Sequence, residues 1–160
     1  MLFVMMASFL HAQILNAKVG VNGLTCSQCS RSVEMQLRKL PFVKDVSMNL
    51  EQTEGTLQFK TGTRIDFSKI AKAVNDAGFS VRFLNANIDM DKVALAGNGF
   101  KIGDDYFHFT QDTNMRLQGT KAFRFLGKTY SSQKQDAKVP ETKVAGVKGR
   151  VYNVSQASTF

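Results

Sequence analysis

Residues 18–29 read KVGVNGLTCSQC, and this stretch decides the fold of the N-terminal half. Its first residues alternate, with Val19 and Val21 on one face, which is typical of a strand that ends in a glycine turn. Residues 30–40 follow with apolar side chains at helical spacing, and Pro41 ends that pattern. The sequence therefore predicts a strand, a cysteine loop and an amphipathic helix, in that order.

The next residues predict a hairpin, a second helix and a final strand. Residues 43–50 and 56–60 each alternate apolar and polar side chains, and a glycine-containing turn separates them. Asp66 is a predicted N-cap for a helix that stops at Gly78, and residues 79–83 form the last predicted strand. Two helices on one face of a four-stranded antiparallel sheet give an α+β fold, the ferredoxin-like βαββαβ sandwich.

The remainder of the chain has a different pattern. Residues 85–92 are polar without sustained periodicity and are predicted to be a linker, and residues 93–160 are predicted to be a small β-rich domain. Strands are expected at residues 106–109, 121–126 and 150–154, between glycine and Asn/Asp turns. A partly open barrel is one arrangement for these strands. The pattern assigns no role to this half.

The first twelve residues form an apolar stretch that is too short to cross a bilayer as a helix. Its length suits a signal peptide with cleavage before Gln13, although no Lys or Arg precedes it. We therefore predict that residues 1–12 are a signal peptide and that the protein is exported, most simply to a periplasm. The alternative is an apolar strand or a disordered tail, in which case the protein is cytoplasmic.

The net charge of +8 does not indicate nucleic-acid binding, because the charge is evenly spread. Residues 18–84 hold ten Lys/Arg against six Asp/Glu, and residues 85–160 hold eleven against seven. No basic run is present, and acidic residues interrupt the basic ones throughout. This pattern is typical of a solvated basic surface and leaves open attraction to an acidic partner or an anionic membrane.

The cysteine loop resembles that of a known family. Residues 23–29, GLTCSQC, resemble the G-M-T-C-x-x-C loop of the heavy-metal-associated family, which includes copper chaperones, modules of copper-pumping ATPases and periplasmic mercury-binding proteins. Residues 43–50 are similar to the family's V-x-x-V-x-V-N-L element, and residues 73–79 are similar to its I-x-x-A-G-Y/F ending. The resemblance covers residues 17–84 and implies a heavy-metal-associated domain over residues 13–84.

Cys26 and Cys29 are the predicted metal ligands. A C-x-x-C pair at the start of a helix brings two sulfurs within reach of one ion, and the positive end of the helix lowers the thiol pKa values. Thiolate sulfur favours soft ions over Mg, Ca or Mn, so Cu(I) is expected, with Hg(II) as the alternative. Two ligands leave the ion undercoordinated, so a ligand of a partner protein can enter. No organic cofactor is expected.

Other readings of the same pair are weaker but not all excluded. Structural zinc sites need four ligands, and haem attachment needs a His where Ser30 stands. A thioredoxin-like redox pair also lies between a strand and a helix, although Ser27-Gln28 lacks proline and the element order differs. In an oxidising compartment the two cysteines could also rest as a disulfide.

Neighbouring side chains are assigned supporting roles. Leu24 is expected to pack beneath the loop, and Phe79 is expected either to shield the ion or to pack in the core. His108 lies among aromatic residues and is predicted to be an ordinary strand residue, and Met48 to be a core side chain.

The sequence thus predicts a binding and transfer protein for Cu(I), not an enzyme, because it contains no nucleophile with a paired base and no phosphate loop. The expected partner is a metal-donor or metal-acceptor protein with a thiolate or Met site, held at the cell envelope if the chain is exported. Two alternatives stay open: an exported thiol-disulfide redox protein, and a metal-sensing module attached to a β-rich binding domain.

Overall fold

The structure is a computed structural model, and it describes residues 13–111, 117–158 and 160. The predicted signal peptide, residues 1–12, lies outside the described residues. Among the described residues, none of the helices is both long and apolar enough to span a bilayer.

The N-terminal half contains the predicted order of two helices and four strands. Its elements are β1 (Ile14–Asn22), α1 (Ser27–Arg38), β2 (Val43–Asn49), β3 (Glu54–Phe59), α2 (Phe67–Asp76) and β4 (Ser80–Asp89). The strands lie side by side in the order β2-β3-β1-β4, and every pair in this half is antiparallel. Strand β1 is central, so the cysteine loop at its end is anchored on both sides.

The C-terminal half adds five strands to the same sheet. A 3₁₀ turn (Met90–Lys92) leads to β5 (Ala94–Leu95), β6 (Gly99–Ile102), β7 (Asp105–Phe109), β8 (Thr120–Phe125), α3 (Lys134–Ala137) and β9 (Val151–Ala157). The full strand order is β2-β3-β1-β4-β8-β9-β7-β6-β5. The strands predicted near residues 106, 121 and 150 are confirmed, and β5, β6 and α3 were missed.

The prediction of a linker over residues 85–92 is wrong. Strand β4 continues to Asp89, where it pairs with β1 on one side and β8 on the other, and the 3₁₀ turn occupies the remaining residues. Ala86 and Ile88 are fully buried on one face, and Asn87 on the other face donates to the Asn16 side chain. Because β4 belongs to both halves, the C-terminal strands extend one nine-stranded sheet, and the residues that the structure describes form no second sheet.

Helix boundaries follow their caps. Helix α1 begins three residues earlier than predicted, because Cys26 acts as its N-cap. Helix α2 begins after Asp66, whose carboxylate accepts hydrogen bonds from the backbone N–H groups of Ser68 and Lys69, as predicted. It stops before Gly78, which has a φ of +89° that disfavours other residues.

An aromatic cluster joins the two halves in one hydrophobic core. Phe67, the first residue of α2, packs against Phe125 at a ring distance of 4.2 Å and against Tyr152 at 5.5 Å. The sheet is strongly curled in this region. The rings of Phe100 on β6 and Phe123 on β8 are 5.2 Å apart, although two strands lie between β6 and β8 in the sheet. All five side chains are buried, so the first turn of α2 closes the core of the C-terminal strands.

Two ion pairs cross between the halves at the same place. Arg64, which precedes α2, donates to the buried carboxylate of Asp105 at the start of β7, with Nε to Oδ2 at 3.1 Å. In the opposite direction, Arg150 binds the α2 N-cap carboxylate of Asp66, with Nη2 to Oδ2 at 2.7 Å. The backbone N–H of Arg150 also donates to Asp105. These contacts fix the N-terminus of α2 against β7 and β9.

The buried Tyr152 and the partly buried Tyr130 predict a loss of stability at high pH. Burial raises the pKa of Tyr152 and Tyr130 well above the ordinary value near 10. The unfolded chain therefore loses these protons before the folded chain does, so the contribution of the two tyrosines to the free energy of unfolding is constant well below pH 10 and falls as the pH rises above about 10. Urea denaturation at pH 8 and pH 11 measures this fall. Tyr152→Phe should reduce it, and an equal fall in that variant would contradict the assignment.

Candidate metal centre

Both cysteines lie at the N-terminus of α1. Cys26 has the extended backbone of an N-cap residue, and its Sγ accepts a hydrogen bond from the backbone N–H of Cys29 at 3.1 Å. Its carbonyl oxygen accepts from the backbone N–H of Ser30 at 3.0 Å, the first helical hydrogen bond. The structure brings the pair together as predicted, with a Cα–Cα distance of 5.2 Å, and joins the two sulfurs as a disulfide.

The loop is open to solvent above and packed below. Cys26 is exposed and Cys29 is partly buried, whereas Leu24 is buried beneath them, as predicted for this side chain. Gly23 adopts a φ of +79°, and a Cβ atom placed on it would lie 3.8 Å from the ring of Phe79. Phe79 therefore flanks the loop, and it also contacts the hydrophobic core. The exposed side of the loop is the side at which a partner can approach the sulfurs.

The loop is also attached to the C-terminal half, which the sequence did not reveal. Asn22, the last residue of β1, donates through Nδ2 to the hydroxyl oxygens of Ser132 at 2.9 Å and Ser80 at 3.2 Å. The neighbouring Ser131 hydroxyl donates to the carbonyl oxygen of Arg82. Asn22 and Ser132 are 110 residues apart, so no local pattern could predict this contact.

Other candidate ligands lie apart from the cysteines. His108 is in β7, where it pairs with Gly99 and Asn153, and Met48 packs against Gly55 in the hairpin. Within residues 13–111, 117–158 and 160, no group of three or more His, Cys, Asp or Glu residues is arranged to hold a metal ion. The described residues therefore do not provide the four-ligand set of a structural zinc site.

The geometry defines what the pair can do chemically. As a disulfide, the two sulfurs are bonded to each other. Reduction by two electrons gives two thiols on one turn of helix, next to the unpaired N–H groups of its N-terminus, and this position favours the thiolate form. Two adjacent thiolates on an exposed loop can either bind one soft ion or exchange disulfides with another protein.

The chain is similar to parts of known metal-transporting ATPases. The chain is 39% identical over 75 residues to copper-transporting ATPase 1 of Rhizobium meliloti strain 1021, covering 47% of this chain and 9% of that protein. Cation-transporting ATPase HMA5 of Oryza sativa subsp. japonica is 31% identical over 101 residues, covering 63% of this chain and 9% of the ATPase. The chain thus spans about a tenth of the length of the ATPases it matches.

A solved structure and a family model also match part of the chain. Oxidized MerP from Ralstonia metallidurans CH34 has 26% identity and a TM-score of 0.39, covering 42% of this chain and 93% of that protein. The model of the heavy-metal-associated domain matches residues 18–80, which include both cysteines, the two helices and the hairpin. Residues 18–80 of this chain are therefore a heavy-metal-associated domain.

Proposed function

We propose that this protein binds Cu(I) through Cys26 and Cys29 and transfers the ion to a partner protein. The observation that carries the proposal is the position of the pair, at the exposed N-terminus of α1 within a heavy-metal-associated domain. The names of the matching ATPases, which include a copper-transporting ATPase, support copper as the ion. We also assign the ferredoxin-like arrangement to residues 14–89 from their element order.

Transfer follows from the number and exposure of the ligands. Soft thiolate sulfurs select Cu(I) over hard cations, and two of them leave a site for a further ligand. Because Cys26 is exposed, a thiolate or Met sulfur of a metal-donor or metal-acceptor protein can bind the ion before the first two sulfurs leave it. The protein then acts by ligand exchange and not as an enzyme. Export to a periplasm is part of the proposal and rests on the apolar residues 1–12.

Mercury is the alternative cargo of the same site. Hg(II) is also a soft ion that prefers thiolate ligands, and Oxidized MerP is among the structural neighbours. The same two sulfurs would hold it, so the geometry of the loop supports both ions. Competition between the ions decides between them.

A second candidate function is thiol-disulfide exchange, which the Cys26–Cys29 disulfide favours. In that case the disulfide is the working state, because an incoming thiolate attacks one sulfur and the pair accepts two electrons. In the copper-binding reading, the same disulfide is a resting state that must be reduced before the ion binds.

Anaerobic titration of the reduced protein with Cu(I) tests the proposal, and the oxidised protein is the matched control because only the sulfur bond differs. We expect about one Cu(I) per reduced chain in a thiolate site, and no saturable binding by the oxidised chain. The titration is repeated with Zn(II) and Hg(II) as competitors. Zn(II) should not displace Cu(I), and displacement by Hg(II) at equal concentration would assign mercury as the cargo.

Metal transfer is contradicted if the reduced protein binds neither Cu(I) nor Hg(II). Measurement of the reduction potential then separates the second candidate. A potential in the range between thioredoxin and strong oxidases, about −270 to −120 mV, together with rapid exchange with a dithiol, would assign the pair to redox chemistry.

A further inference from the structure

A large cavity lies under the long connection between β8 and β9. Its volume is about 910 Å³, and its wall is formed by residues of the connection itself and by the first part of β9. Every residue that lines it falls within 126–153, so the cavity belongs to the C-terminal half. Its size is that of a small-molecule site, because such sites commonly span about 300 to 1,000 Å³.

The rim of the cavity is strongly cationic. Five of its lining residues are basic and one, Glu141, is acidic. Arg150 is occupied by its ion pair with Asp66. The remaining cations are Lys128, Lys134, Lys138 and Lys143, and none of these four forms a salt bridge with a carboxylate of the described residues. Four unpaired ammonium groups around one concave surface attract an anion.

The inner wall of the cavity is partly apolar, and two of the residues that form it are almost completely buried. Tyr152 and Asn153 both line the cavity, and both are more than nine-tenths buried. The hydroxyl of Tyr152 and the Oδ1 of Asn153 are buried and have no hydrogen-bond partner among the described residues. Asn153 Nδ2 donates to the carbonyl oxygen of Pro140, which fixes the amide against the connection. Neither atom is accessible to solvent, so Tyr152 and Asn153 contribute other atoms to the wall of the cavity.

We propose that this cavity is a binding site for an organic anion, in which a carboxylate or phosphate is carried on an apolar body. The lysines hold the anionic group, and the apolar wall beside Tyr130 and Val139 holds the body. The site uses no residue of the cysteine loop, so it can be tested independently of metal binding.

The test uses two-dimensional amide NMR of the full chain with four probes. 4-Hydroxyphenylacetate and phenyl phosphate represent the two anionic groups, 4-hydroxyphenylacetamide is the neutral analogue, and inorganic phosphate lacks the apolar body. We expect both organic anions to shift resonances of residues 126–153 with dissociation constants of about 1 mM, a normal affinity for ligands of this size. The neutral amide and inorganic phosphate should each bind more weakly than the organic anions, by a factor of about ten or greater.

Two double variants identify the charges. Lys138→Ala/Lys143→Ala should weaken binding of both organic anions by about three- to tenfold, because each exposed charge contributes modestly. Lys44→Ala/Lys69→Ala removes two exposed lysines that do not line the cavity and should change nothing.

Several outcomes would overturn the proposal. Equal affinity for the acid and its amide would show that charge does not select the ligand. Equal affinity for phenyl phosphate and inorganic phosphate would show that the apolar body does not contribute to binding. Shifts confined to residues outside 126–153, or no shifts at about 10 mM of either organic anion, would exclude the site.

Discussion

Phe67→Ala should lower the free energy of unfolding by about 3 to 5 kcal/mol, the cost of truncating a fully buried aromatic side chain. Phe67 contacts Phe107, Phe125 and Tyr152, so its loss opens a cavity where the two halves meet. Because the halves share strand β4 and this core, both should lose stability together. Urea denaturation followed by two spectroscopic probes measures the change.

The two spectroscopic probes report on different halves of the chain. It contains no Trp, and its three tyrosines are Tyr106, Tyr130 and Tyr152, so tyrosine fluorescence reports on the C-terminal half alone. The two helices longer than one turn, α1 and α2, are in the N-terminal half, so circular dichroism at 222 nm reports mainly on that half. We expect one transition with coincident midpoints for both probes, in the parent and in the variant.

Leu95→Ala is the control for this experiment, because Leu95 is 61% exposed and the change should stay within about 0.5 kcal/mol. Separate midpoints for fluorescence and circular dichroism would contradict the shared core. A shift of the circular dichroism midpoint alone would mean that the C-terminal strands fold independently of α2.

Cys26→Ser/Cys29→Ser should abolish saturable Cu(I) binding by the reduced protein while leaving the fold intact. Serine oxygen is a hard donor that does not replace thiolate at a soft ion. Serine is also a preferred N-cap residue, so the hydroxyl at position 26 can accept the helix N–H that the Cys26 sulfur accepts now. Titration against a Cu(I) chelator gives the affinity, and circular dichroism confirms the helix content.

Met48→Leu is the matched control, because it removes a soft sulfur that packs against Gly55 and keeps a similar volume. This variant should bind Cu(I) as the parent does. Retention of stoichiometric Cu(I) by the double serine variant would place the ion elsewhere on the chain and would remove the proposed centre.

The candidate site could be predicted from the sequence because short-range sequence patterns determine it. Cys26 and Cys29 are three residues apart, and the strand before them and the helix after them are both short-range patterns. The caps at Asp66 and Gly78 are local for the same reason, since a single side chain or a single backbone angle determines each of them.

The features that the sequence did not reveal depend on distant contacts. Residues 85–89 alternate for only five positions, and both faces are buried, with Ala86 and Ile88 on one face and Asn85 and Asn87 on the other. A polar residue on a covered face looks like a loop residue until the covering partner is known. The cavity was missed because it is built by a connection without regular periodicity, and its lysines come together only in three dimensions.

Strand β4 has a further consequence for self-association. Because β8 pairs with it, the sheet of the heavy-metal-associated domain does not end at β4, and in the described part of the chain only β2 and β5 are edge strands. Unpaired backbone groups at an edge can recruit another molecule into a growing ribbon. Strand β5 has only two residues, and β2 carries an irregularity between Val43 and Asp45, where Lys44 and Asp45 are exposed charges. The two edges of the sheet, β2 and β5, are therefore poor templates for the addition of a strand from another molecule.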